Sequence, residues 1–307
     1  VGNYQNAISL KIKMPGYCEK LVSKSSLSFF KKTIIKLVPN APVAYLEKAE
    51  FMSGEKVQVF VHSPQDYVLT IYRHGIKKIN LLETSQTAII QDIPDGDISA
   101  SGLFWKNPII FTIDSNWKAG MYSVELKDED GRSFSTPLII NTSKANLKSS
   151  NILVIANLST WQAYNVWGGR SRYRRFDENN FNFLPPLVNR LIMGIRRRIL
   201  NLFNAMPVSG IKLEPSWISR RLANNRPLPN KWLQAHSPYN EYLDHLAAHE
   251  WRGLAWLESL GINYEYCSDN SKFLNKSNLK DFDCVVLLGH SEYWSKESYQ
   301  TLYDSYF

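Results

Sequence analysis

Residues 152–155 read Ile-Leu-Val-Ile, a run with no polar break. Such a run fits a strand buried on both faces. Residues 284–288, Cys-Val-Val-Leu-Leu, repeat the pattern, and Gly289 follows at once. Between them, 242–260 carries apolar residues at helical spacing and meets Gly261 where a helix end favours glycine. A further strand is predicted over 262–267. Strand, helix and strand in this order predict a parallel α/β sheet. Ligands of such sheets gather beyond the carboxyl ends of the strands. Two segments are predicted to sit there, 157–169 and 289–294.

The chain before this region has a different rhythm. Short apolar or alternating runs occupy 57–61, 68–72, 109–113, 121–126 and 138–140. Turn signals separate them: Ser53-Gly54, Asp95-Gly96, Ala119-Gly120 and Asp130-Gly131. This spacing predicts an antiparallel β-sandwich over 43–142 with an accessory role. Residues 143–150 are small and polar and read as a linker. The α/β domain then runs over 151–307, interrupted by an irregular basic insert at 176–237. Within the insert, 188–203 has helical spacing with Arg196–Arg198 on its other face. Residues 1–42 carry no assignment, and 29–38 reads equally as helix or strand.

The chain has 307 residues, 44% of them hydrophobic and 21% charged. That composition is globular and excludes a disordered or collagen-like chain. No apolar run approaches the ~18–20 residues of a membrane-spanning helix. Three cysteines, Cys18, Cys267 and Cys284, are too few and too scattered for a disulfide framework or a cysteine-based zinc site. They fit a reducing cytoplasm, with Cys267 and Cys284 expected in the core. The sequence begins at Val1 and ends at Phe307 inside a helical run, so a fragment truncated at its C-terminus is expected. The net charge is +8, concentrated in arginines at Arg170–Arg175 and Arg196–Arg198. Arginine clusters can hold phosphate or carboxylate groups, but most such runs are solvated faces.

Four features could carry chemistry. His290 and Glu292 follow the third strand, and alternate residues there can face the same crevice. Imidazole and carboxylate form an acid/base pair or a metal-ligand pair. Residues 161–169, Trp-Gln-Ala-Tyr-Asn-Val-Trp-Gly-Gly, place the phenol of Tyr164 just after a buried strand. Aromatic packing over the sheet edge would explain the same residues. Glu250 lies on the apolar face of the 242–260 helix, four residues before Leu254. A carboxylate there needs partners. Two roles stay open for it, a structural ion pair with an arginine of the insert or a catalytic role. His245 and His249 are four apart, the spacing of a two-histidine metal site, but lack the intervening glutamate of zinc proteases. They are expected off the apolar face and outside any metal site. No phosphate loop and no GxSxG nucleophile elbow occurs.

Taken together, ILVIANLSTWQAYNVWGGRSRY, EWRGLAWLESLGINYEYCSD and DCVVLLGHSEYWS resemble the large (beta) subunit of N,N-dimethylformamidase and its bacterial relatives. The resemblance spans roughly residues 45–307 and fades in 176–240. It implies an immunoglobulin-like sandwich followed by a class I glutamine amidotransferase-like, flavodoxin-like α/β domain. It implies a mononuclear iron, Fe(III), held by two tyrosines and a glutamate, with a histidine two residues before that glutamate. By motif these become Tyr164, Glu292 and His290. The second tyrosine matches no motif, and Tyr173 and Tyr239 are both candidates.

The resemblance thus implies an amidohydrolase of linear amides. Tyr164 and Glu292 are its expected metal ligands, and His290 and Glu250 its candidate catalytic residues. A small-molecule amide is the expected substrate, and the family leaves room for a small partner subunit and a homo-oligomer. No nucleic-acid partner is expected. Two alternatives stand beside this reading: a relative with a different hydrolytic substrate, and a non-catalytic module binding through the sandwich and the arginine-rich insert.

Overall fold

The computed structural model describes residues 9–12, 20–23, 39–94, 98–141, 150–169, 171–172, 221–239 and 244–306. The expected element at 29–38, the insert helix at 188–203 and its arginines lie outside the described residues. So does Tyr173.

Strands β1 (Ser9–Ile12) and β2 (Lys20–Ser23) form an antiparallel pair. The next eight strands are β3 (Val43–Leu46), β4 (Glu50–Met52), β5 (Lys56–His62), β6 (Tyr67–His74), β7 (Lys78–Gln86), β8 (Ile109–Thr112), β9 (Gly120–Asp128) and β10 (Ser133–Asn141). They build a five-stranded sheet, β4-β10-β9-β6-β7, and a three-stranded sheet, β3-β5-β8. Pairing is antiparallel throughout except between β10 and β4. One apolar cluster joins the two sheets, with Val57, Val59 and Val61 from β5 against Leu69 and Ile71 from β6. Three of these strands escape the sequence reading. β3 and β4 are short, and β7 is an edge strand, half-exposed along its length, without clean alternation.

The five-stranded sheet uses both faces. Leu138 and Ile140 point into the cluster shared with the small sheet, whereas Ile139 and Met121 join a second cluster. Period-two alternation produces this split. The second cluster is built mainly from the C-terminal half, so the two halves share a core.

That half contains β11 (Ile152–Ala156), β12 (Glu265–Ser268) and β13 (Cys284–Leu287), parallel, in the order β12-β11-β13. β11 is central, and its residues 153–156 are all buried, as an unbroken apolar run requires. Among the described residues β13 is an edge, which corrects the expectation for Cys284: Cys267 is buried, but Cys284 is exposed. Five helices complete the described residues: α1 (Ile98–Ser101), α2 (Leu158–Tyr164), α3 (Ala247–Ser259), α4 (Lys276–Leu279) and α5 (Lys296–Tyr306). A 3-10 turn spans Lys231–Gln234.

Helix α3 starts later than its apolar spacing suggests. Asp244 Oδ1 accepts the Leu246 N–H at 3.1 Å, and this local turn competes with helix. The C-terminus ends as expected at Gly261, whose φ is +71°. The Ile262 N–H reaches Leu257 O at 3.1 Å and the Gly261 N–H reaches Glu258 O at 3.0 Å, the paired bonds of a glycine-terminated helix.

Helix α3 fastens the halves together. Trp251 is fully buried, and its Nε1–H donates to Gly75 O at 2.7 Å. Its ring meets His74 edge-on with centroids 4.6 Å apart. Arg73 pairs with Glu258, which also accepts from Tyr264 Oη at 2.9 Å and from the Ile76 N–H at 3.1 Å. Glu50 on β4 adds a second tie, accepting from the Ser268 N–H at 2.9 Å and from Ser271 Oγ at 2.5 Å. Among the described residues no helix is long and apolar enough to cross a membrane.

Trp251→Ala removes this central wedge. It is expected to cost about 3–5 kcal/mol, the usual range for a buried tryptophan truncation. Urea unfolding would show the loss as one cooperative shift, since the core is shared. An effect below about 1 kcal/mol would show that α3 does not fasten the halves.

Candidate functional site

β11 and β13 run parallel, so their carboxyl ends open on the same side. α2 begins right after β11 and ends with Tyr164. The chain after β13 turns at Gly289 and continues to His290 and Glu292. Gly289 has a φ of +66°, and a Cβ there would lie 3.3 Å from Glu250 Cγ. The glycine permits both this backbone and the close crossing over α3.

Thr160 locks the two segments together. Its Oγ1 accepts the N–H groups of both Glu292 and Tyr293 at 3.1 Å. Three side chains then converge. Tyr164 Oη donates to Glu292 Oε2 at 2.9 Å and lies 3.2 Å from His290 Nε2. His290 Nε2 lies 2.9 Å from Glu292 Oε2. His290 and Glu292 keep 43% and 38% of their side chains exposed, so solvent and small molecules reach the cluster.

His245 joins from the turn before α3. Its ring meets Tyr164 and His290 edge-on, with centroids 5.0 and 5.3 Å away. Because His245 precedes the helix, it and His249 do not form a helical i, i+4 pair. The spacing that suggested such a pair is therefore misleading, yet His245 walls the cluster.

Glu250 stands apart, fully buried beneath the crevice. Oε1 accepts from Trp161 Nε1 and Asn157 Nδ2, each at 2.9 Å, and Oε2 accepts from Tyr266 Oη at 3.3 Å. Among the described residues these partners are neutral donors. Burial pushes the Glu250 carboxyl up to about 8, against the opposing pull of its Asn157 and Trp161 bonds. Asp269 holds the start of α2 through the Ser159 N–H at 3.0 Å and Ser159 Oγ at 3.0 Å. Burial raises it to about 7.

Tyr239, one candidate for the second tyrosine, is half-exposed and lines a cleft of about 410 Å³ with Leu288 and Gly289, the residues just before His290. A larger cavity of about 750 Å³ borders Glu50, Leu158, Gln162 and Ser268, and none of the converging residues lines it. The convergent polar groups and the greater volume therefore lie apart. Sequence reading missed Thr160 and Asn157; both sit where α2 meets the strand ends, but neither has a local pattern to announce it.

The donor set can be tested against a metal ion. Donors sharing an ion through ~2.0–2.2 Å bonds sit about 3 Å apart when the bonds are near right angles. The three separations of 2.9, 2.9 and 3.2 Å match that spacing. Among the described residues no group of three His, Cys, Asp or Glu side chains could hold a metal ion. The Tyr164 phenol adds a third donor beside His290 and Glu292.

A mixed β and α/β protein with a phenol, an imidazole and a carboxylate at its parallel strand ends is the class these observations define. A profile of the N,N-dimethylformamidase beta subunit-like, C-terminal family matches residues 69–305, most of the chain. The chain belongs to that family. No curated protein matches it.

Glu250 and Asp269 are both easier to protonate in the fold than in the unfolded chain, where their values are 4.5 and 3.8. Their contribution to stability is complete below those values and is lost as pH rises through about 7 and about 8. Stability measured by urea titration should therefore fall over this range. Glu250→Gln, neutral at every pH, should flatten the upper part of the decline; a variant curve parallel to wild type would refute the assignment.

Proposed function

We propose that the chain is a metal-dependent hydrolase of a small linear amide, resembling N,N-dimethylformamidase in cleaving a C–N bond with water. The observation that supports this reading is the convergence of Tyr164, His290 and Glu292 within hydrogen-bond reach at the strand ends. Tyr164 and Glu292 would hold iron, since phenolate and carboxylate are hard anionic donors suited to Fe(III). Tyr239 or Tyr173 would supply a second phenol. The bound ion would polarise an amide carbonyl and lower the pKa of a water molecule.

The chain's own residues do the rest. With its Nε2–H held by Glu292 Oε2, His290 takes a proton on its other ring nitrogen, Nδ1, from the attacking water as the water oxygen bonds to the acyl carbon. The same nitrogen gives that proton to the amide nitrogen as the C–N bond breaks, so a neutral amine leaves. Glu292 Oε2 holds the imidazole for both transfers. Glu250 positions these groups from beneath through Trp161 and Asn157. No serine or cysteine nucleophile is needed.

In this reading the antiparallel half over 43–142 is an immunoglobulin-like accessory unit, with a linker at 143–150. The region 151–307 is an amidotransferase-like catalytic unit. The matching family is named for one subunit of an enzyme, which supports a partner subunit here. A homo-oligomer and a cytoplasmic site of action complete the proposal. The competing reading is a non-catalytic or different-substrate relative that uses the sandwich and the arginine-rich insert as a binding surface.

Metal analysis and an amine-release screen over formamides and larger amides test the reading. Glu292→Ala and Tyr164→Phe are expected to lower iron retention and turnover by more than about 100-fold, beyond the ~10–100-fold of outer-sphere changes. His245→Ala should retain iron. Folded wild-type protein free of iron and inactive on every amide would favour the binding module. Iron lost from His245→Ala but kept by Glu292→Ala would overturn the ligand assignment.

A further inference from the structure

Arg226 is almost wholly buried, with 1% of its surface exposed. Its guanidinium gathers main-chain carbonyls around the end of α2. Nη2 donates to Gln162 O at 3.2 Å, and Nη1 donates to Asn165 O at 3.1 Å and Trp167 O at 2.6 Å. Nε donates to Ala223 O at 3.0 Å. Asn165 answers from the other side, its Nδ2 donating to Pro227 O at 2.8 Å.

A helix leaves its last carbonyls without intrahelical partners. A guanidinium suits them well, because its donors sit in a fixed planar fork. Burying a cation is costly unless hydrogen bonds surround it. An apolar residue could fill such a space without that cost, so the charge needs a reason. The carbonyls of residues 162, 165 and 167 offer one, since they bracket Tyr164.

We propose that Arg226 is a positioning residue for the candidate site: it clamps the terminal turn of α2 and thereby aims the Tyr164 phenol at His290 and Glu292. The proposal rests on the reading of that cluster as the functional site. It assigns a role to the described end of the insert, which brings Arg226 against the end of α2 from 61 residues beyond Asn165. Lysine could keep the charge but not the fork, so one ammonium would serve fewer of these carbonyls.

The test uses the full chain with ¹³C-labelled tyrosine rings, the Tyr164 signal being assigned by its loss in Tyr164→Phe. Arg226→Gln and the milder Arg226→Lys are compared with Arg73→Lys, which disturbs a buried-side ion pair whose partner Glu258 lies at the far end of α3. Both Arg226 variants should shift the Tyr164 signal in folded protein and weaken binding of iron(III) alone by ~10–100-fold. Arg73→Lys should lower stability and leave that signal in place. If Arg226→Gln does not fold, Arg226→Lys decides the matter. An unmoved Tyr164 signal in folded Arg226→Lys overturns the proposal, whether or not iron binds. A moved signal in a protein that never binds iron upholds the positioning role and removes the metal reading of the cluster.

Discussion

A single buried carboxyl organises the carboxyl ends of the parallel strands. Glu250 reaches up from α3 and takes hydrogen bonds from Asn157 and Trp161, which start the segment after β11. Asn157 also donates to Leu288 O, at the end of β13. One side chain therefore registers the helix, the central strand and the edge strand against each other. Tyr164 lies three residues beyond Trp161, and His290 lies two beyond Leu288. The position of every converging group depends on this junction.

The physics of that junction explains its composition. A carboxylate with no counter-cation is costly at full burial, and the fold responds by raising its proton affinity. Neutral donors then satisfy it in a way that an arginine would not. A salt bridge would favour the ionised form, whereas an indole, an amide and a phenol hold the carboxyl through directional bonds from neutral donors. The arrangement gives up stability at high pH and gains a fixed orientation.

Much of the fold is legible in the sequence, because unbroken apolar runs at 152–155 and 284–288 have few structural meanings. Gly261 ends α3 as its position implies. The edge strands are less legible: Cys284 sits in an apolar run yet is exposed, because among the described residues β13 pairs on one side, with β11. β7 hides for the same reason, its half-exposed residues carrying no alternation. The site is legible in part. His290 and Glu292 follow from a strand end, and Tyr164 from the resemblance of its motif. Glu250 is visible as an acid on an apolar helix face, but its partners are not. Helical periodicity also overreached at His245, where the Asp244 turn displaces the start of α3. The bonds of Arg226 to the end of α2 are not legible in the sequence, since those carbonyls are distant along the chain.

Exposure separates two kinds of polar residue here. Under the proposed function, groups that exchange protons or take a ligand keep contact with solvent, and His290 and Glu292 are so exposed. Groups that only aim others must not, because water would compete for their bonds; Glu250, Asn157, Thr160 and Arg226 are all buried. This gradient runs inward along one short covalent path, from the partly exposed Tyr164 to the buried Trp161. A rigid frame matters more for a phenol than for longer side chains. Its oxygen is carried on a ring with two rotatable bonds, so the direction of the backbone at Tyr164 largely fixes where that oxygen can go. Control of the last turn of α2 is thus control of the site, and a short helix cannot provide it alone. The frame provides it through a buried acid at one end of α2 and a buried cation at the other.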